Sequence, residues 1–189
     1  MLTSEASTAT YLAQMKNTIT ISWVLFATAI IIITLQSCKK EEAEPAKGVD
    51  LQLYEMAQET SGFVWYKNSD ALLDKSSGSG HNFPSLRTRF NSIAATQLDT
   101  DGKVAANASF PEESFVVKEL IKSDGSLGLY AILYKDSDNE YADDRGWVWG
   151  YVFPNGDVAT SAIDKGAICT GCHLQSENID YMLMNKFFP

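Results

Sequence analysis

Runs of β-branched, aromatic and other apolar positions are set apart by polar turn segments most clearly in the second half of the chain. Ser114–Ile121 (SFVVKELI) is rich in β-branched residues and predicts a strand. Ser123-Asp124-Gly125-Ser126 is a turn signal, and Leu127–Lys135 (LGLYAILYK) predicts the strand that pairs back. The polar loop Asp136–Gly146 follows, then a third strand at Trp147–Phe153. The turn Pro154-Asn155-Gly156-Asp157 leads into a fourth strand at Val158–Ala162. Upstream, Leu51–Gln58 has helical spacing, and Phe63–Tyr66 and Leu86–Phe90 predict short strands. Asn91 or Ser92 is placed to cap a helix through Leu98 that ends before Gly102, and Ile179–Phe188 predicts a short closing helix. The fold class is α+β: a mainly antiparallel sheet with a few short helices. No internal repeat is present.

The start of the chain follows a different pattern. Lys16 precedes Ile19–Leu35, a run that is apolar apart from Thr20, Ser22, Thr28 and Thr34. It is short for a membrane span, which needs about 20 residues. With a positive flank before it and small residues after it, residues 1–37 read as a signal peptide, with 1–14 as an over-extended start. Leu35-Gln36-Ser37-Cys38 resembles a bacterial lipobox, in which Cys38 is acylated and becomes the new N-terminus. The alternative is a membrane anchor with an unmodified Cys38. Residues 38–49 are charged and low in complexity, and suit a solvated tether. The expectation is an exported protein, on the periplasmic side or the cell surface, held to a membrane by lipid at Cys38, with its folded domain at 50–189.

The formal net charge is −9 and the pI about 4.6. Such a balance disfavours nucleic acid, which selects basic surfaces, and is compatible with a basic redox partner protein. Hydrophobic content of 45% is enough for a globular core.

Cys169 and Cys172 lie in Cys169-Thr170-Gly171-Cys172-His173, the spacing of c-type haem attachment. Two thiols add across the two vinyl groups of one macrocycle, and the next residue presents an imidazole to the iron. His173 is therefore the expected metal ligand, with one covalent haem c as cofactor. A thioredoxin-like CxxC would open a helix near the start of a βαβ unit. A zinc site would need four N/S ligands, and only His81 is left to supplement this motif. Only Leu174–Pro189 follows His173, too little for the helical cytochromes c, in which an axial Met lies well downstream. The haem must be received by the sheet that precedes the motif.

Taken in order, several fragments resemble cytochrome P-460 and the related cytochromes c-prime-beta, from about Phe83 to the end. They are Phe83-Pro84-Ser85-Leu86-Arg87-Thr88, Phe110-Pro111-Glu112, Val116-Val117-Lys118-Glu119-Leu120, Gly146-Trp147, Cys169–His173, Asp180 and Phe187-Phe188-Pro189. The resemblance implies a β-sheet haem domain, often a homodimer, with a five-coordinate c-haem and Phe83 at the cofactor. In the hydroxylamine-oxidising members a lysine is also bonded to the macrocycle, and Lys118 is its match. An arginine of the same pocket matches Arg87, which would pair with a propionate or a bound nitrogen species. Read from the residues alone, Lys118 shares a strand face with Val116 and Leu120, so it either snorkels at a rim or has a special partner.

One departure stands out. The oxidising members carry a carboxylate base on the second strand of the sheet, where this chain has Ala131 within Leu129-Tyr130-Ala131-Ile132. Strand alternation turns Glu119 away from Lys118, and Glu140, Asp143 and Asp144 lie on a loop. His81, in a Gly/Ser-rich stretch, is read as a solvent-exposed loop histidine, with a distal haem ligand as the alternative. Met182, Met184, Trp147 and Trp149 are read as packing residues. Three functions stay open: oxidation of hydroxylamine at an open iron with Lys118 and Arg87 in catalytic roles, nitric oxide binding without turnover, and plain electron transfer.

Overall fold

The computed structural model describes residues 43–189. The signal peptide, Cys38 and the first part of the tether lie outside the described residues. Helix α1 (Gly48–Gln58) comes first, then the short strands β1 (Val64–Trp65) and β2 (Leu73–Asp74). β3 (Ser85–Phe90), the one-turn helix α2 (Ser92–Ala95), β4 (Phe115–Ile121), β5 (Leu127–Lys135), β6 (Trp147–Val152) and β7 (Val158–Thr160) follow. Two further single turns, α3 (Thr170–His173) and α4 (Met184–Phe187), lie near the end. The fold is α+β, built on one seven-stranded antiparallel sheet in the order β1-β3-β4-β5-β6-β7, with β2 also paired to β3. No helix among the described residues is long and apolar enough to cross a membrane.

The sheet separates two cores, as period-2 alternation requires. On one face α1 packs Leu53 and Ala57 against Phe115, Val117, Ile132 and Val148. Asp50 ties this helix to the chain leaving β7, accepting bonds from the Ser161 hydroxyl (2.6 Å) and the Ala162 amide (2.8 Å). On the other face Phe90, Val116, Leu133 and Trp149 pack against the closing segment around Tyr181, Met182 and Met184. Cross-strand register sets a row on this second face: Thr88 pairs with Lys118, Lys118 with Ala131, and Ala131 with Tyr151.

Two helices expected from the sequence are shorter than their patterns. The Asn91 side chain caps α2 by accepting from the Ala94 amide (2.8 Å), and it also accepts from the Phe115 amide (3.0 Å). That helix stops at Ala95, because Leu98 instead pairs with Val104 in an isolated bridge. The closing helix is replaced over Ile179–Met182 by a tight turn, with Asp180 and Tyr181 both at positive φ (46° and 69°). The Asp180 carboxylate explains the break. It accepts from the Phe110 amide (3.0 Å) and the Trp147 indole (3.1 Å), contacts a continuous helix would forgo.

The α1 face holds a buried ion cluster. Arg89 is fully buried and Glu119 nearly so. Arg89 donates to Glu119 and to the Ala57 carbonyl in the last turn of α1, where a cation suits the helix dipole. Arg87 donates to the other Glu119 oxygen at 2.6 Å, and its guanidinium lies 4.7 Å from the Trp65 ring centre. Removing one partner of such a group strands the others' charges. Glu119→Ala is expected to destabilise the fold by about 3–5 kcal/mol in urea unfolding; a loss near zero would contradict this account of the cluster.

Candidate functional site

The CxxCH motif is carried to the Trp149 face by a bend after β7. A short 3-10 turn over Ala162–Asp164 ends at Lys165 and Gly166, both at positive φ. Gly166 is needed twice over, because a Cβ there would also lie 2.6 Å from the Trp149 ring. α3 then holds the motif as a single helical turn, with the Cys172 and His173 amides both bonded to the Cys169 carbonyl at 3.1 Å. Cys169 is buried, Cys172 exposed, and both are free thiols. Burial pushes the Cys169 thiol up, partly offset by the Tyr151 hydroxyl beside it.

Both cysteines and His173 open onto a cleft of about 250 Å³, walled by Phe83, Leu120, Leu129 and Phe187. The Phe83 ring lies over Gly128, where any side chain would collide with it. A smaller cavity of about 30 Å³ adjoins, lined by Thr88, Ala131, Trp149 and Met182. Lys118, Tyr151, His81 and His173 border both.

His173 is oriented by the closing turn. Its Nδ1–H donates to the Tyr181 carbonyl at 2.7 Å, and Trp149 stands edge-on to the ring with centroids 5.0 Å apart. Burial first, then the Lys118 charge, pushes His173 down to about 4, against a smaller opposing effect of the Tyr181 carbonyl. A neutral imidazole with Nδ1 engaged leaves the Nε2 lone pair available, the usual second-shell arrangement for a histidine that binds a metal.

Lys118 is where its strand position predicts, on the cleft face and partly buried. Burial lowers its ammonium to about 8. Phe83 also lies at the cleft. Arg87 does not. It pairs across the sheet with Glu119, on the face opposite Lys118, and the cleft position next to it belongs to Thr88. The assignment of Arg87 to a haem pocket is corrected on that ground: antiparallel register sends it to the α1 face.

His81 is also corrected. It is no solvent-exposed loop residue. Its ring sits inside the cleft, with Nε2 3.4 Å from Lys118 Nζ and Nδ1 3.4 Å from the Tyr151 hydroxyl. Burial foremost, then the Lys118 charge, holds it far below the imidazole range. Tyr151, which sequence reasoning did not single out, lines the same site. Its signal in the sequence is its place two residues beyond Trp149 on one strand, and no local signal marks His81.

Among the described residues no carboxylate lines either cavity. Ala131 faces the site directly beside Lys118. Asp143 is committed elsewhere, accepting from the Trp149 indole (2.9 Å) and the Trp147 amide (3.0 Å), while Glu140 and Asp144 are exposed. Met184 accepts from the Thr88 hydroxyl at 3.4 Å and is core, as is Met182. No group of three or more His, Cys, Asp or Glu side chains among the described residues is arranged to hold a metal ion by itself, so a cage of protein ligands alone lacks its donors.

No protein-family model matches the chain, and no curated protein matches it.

Burial of the Lys118 ammonium makes the stability of the fold depend on pH. Between about 8 and the model-compound 10.5, the unfolded chain holds a proton that the folded chain has released, so stability rises with pH across that window. Urea unfolding of the ligand-free chain should show the wild type gaining on Lys118→Met between pH 8 and 10.5; parallel pH curves would contradict it.

Proposed function

We propose that this chain is an exported c-type haem lipoprotein, resembling cytochrome P-460, that binds a small nitrogen ligand such as nitric oxide at its iron. The observation that carries this reading is the convergence on one cleft of Cys169, Cys172 and an His173 whose Nδ1 is already bonded to the Tyr181 carbonyl. The donor set fits the group: two free thiols at the attachment spacing, a neutral imidazole with its other nitrogen engaged, and largely apolar walls. Bound there, haem supplies a redox-active iron that coordinates small ligands.

The chain's own residues then have separate tasks. His173 Nε2 is the protein's bond to the iron, and the Tyr181 carbonyl and the Trp149 edge fix its ring. Phe83, Leu120 and Leu129 exclude water from the macrocycle's surface. Export and a lipid at Cys38, read from the sequence, place the domain where c-haem attachment occurs. Among the described residues the cleft has no carboxylate to take protons from hydroxylamine, and a general base must reach its substrate within one hydrogen bond or one water. That favours binding over turnover. One observation favours the oxidative alternative. The Lys118 amine borders the cleft with a lowered proton affinity, which suits it to a bond with the macrocycle.

The test is the haem-loaded protein's behaviour toward both ligands. Nitric oxide should bind the reduced protein, hydroxylamine with a chemical oxidant should show no sustained turnover, and Lys118→Ala should leave the absorption spectrum unchanged. Sustained turnover, together with a red-shifted Soret band that disappears in Lys118→Ala, would overturn the binding reading in favour of the oxidative one.

A further inference from the structure

The chain carries a net charge of −9, yet no Asp or Glu lines either cavity among the described residues. The charge that is there is positive. Lys118 borders both cavities and enters no ion pair among the described residues. Lys75, the other charge near His81, is a cation as well. On the opposite face of β4, Arg87 and Arg89 share Glu119. The sheet thus compensates its two arginines and leaves the Lys118 ammonium without a counter-charge.

The hydrogen bonds of this amine are incomplete too. A protonated lysine has three N–H donors and no acceptor. One faces His81 Nε2 at 3.4 Å, so that nitrogen carries the lone pair. His81 Nδ1 then carries the hydrogen and points it at the Tyr151 oxygen, also at 3.4 Å. His81 is thereby tied to β6 and holds the amine at the site without offering it a negative charge. The other two N–H donors have no acceptor among the described residues. Withdrawing such donors from water without acceptors is costly, and more so when the group is charged. The charge reaches His173, whose protonation it opposes. The cavity of about 30 Å³ that Lys118 shares with His173 has room for only one or two water-sized groups.

We infer that the Lys118 ammonium, positioned by His81, is an anion site, and that the oxidised haem protein takes a small monoanion of the nitrite class, shared between the iron and Lys118. The inference rests on the c-haem reading above and names a ligand class for that site. It needs an open iron face and a lysine that keeps its charge, so it excludes a bond between Lys118 and the macrocycle. A neutral ligand such as nitric oxide binds the iron without drawing on Lys118. A carboxylate of the haem itself offers the ammonium the same chemistry, and would occupy it ahead of any external anion.

The experiment titrates the oxidised, haem-loaded full chain with azide, nitrite and nitric oxide at neutral pH, following the Soret band. It compares the wild type with Lys118→Met and with Lys118→Gln, which is polar but uncharged. Azide and nitrite should bind both variants roughly tenfold or more weakly than the wild type, because a hydrogen bond from a charged donor is lost. Nitric oxide should bind all three alike. Both variants remove an unpaired charge from the cleft; retained haem and an unchanged far-ultraviolet dichroism spectrum show that they fold. A haem-loaded wild type that binds neither anion, or binds them no better than either variant does, overturns the inference and leaves the c-haem reading standing; the ammonium then pairs with a haem carboxylate or with nothing. A variant that loses nitric oxide along with the anions also overturns it, because Lys118 then acts through packing and not through charge. A wild type that carries no haem, read from its intact mass, overturns both.

Discussion

A strand turns successive side chains to opposite faces, and in β4 that rule puts the thickness of the sheet between Lys118 and Glu119. On the α1 side Glu119 compensates two arginines, one of them with no exposed surface. On the other side Lys118 faces a cleft with no carboxylate beside it among the described residues. A one-residue slip of β4 would reverse both environments, leaving the arginines uncompensated and turning a carboxylate into the cleft in place of Lys118. A slip of β4 would therefore break the buried ion cluster, and the chemistry of the cleft depends on the register that keeps it paired.

The second constraint is the turn at Ile179–Met182. Positive φ is uncommon at Asp180 and costly at a bulky residue such as Tyr181. The surroundings hold both residues there. Asp180 bridges the Phe110 amide and the Trp147 indole, Asn178 accepts from the Tyr181 amide at 3.2 Å, and the Tyr181 ring packs edge-on against Trp149 with centroids 5.1 Å apart. What this arrangement gives in return is a carbonyl aimed at His173. Trp149 contacts the turn, the imidazole and Gly166 at once, so the bend carrying the motif and the turn orienting it share one indole.

Much of the sheet is legible in the sequence because β4, β5 and β6 are apolar, β-rich runs bounded by turn signals and a polar loop; β5 begins and ends where its pattern does. Helices α2 and α4 are cut short of their patterns because Leu98 and Asp180 take tertiary partners that outweigh local propensity. CxxCH is legible as chemistry, since thiol spacing is a property of the chain itself. Arg87 lies away from the pocket that its motif match implies, because such a match carries no register, whereas pairing of Thr88 with Lys118 does. His81 was hidden for a related reason: a Gly/Ser-rich stretch looks solvated, and only closure of the loop over Cys172 brings its imidazole inside.

The chemistry of the cleft turns on whether its two thiols hold a macrocycle. Trypsin should release Gly166–Lys186 as one peptide carrying both cysteines and His173. Mass spectrometry of that peptide, from protein made with the c-haem attachment machinery, is the direct measurement. The account predicts one haem added through both cysteines, with no free thiol. A peptide bearing two free thiols, or a disulfide between Cys169 and Cys172, would contradict it.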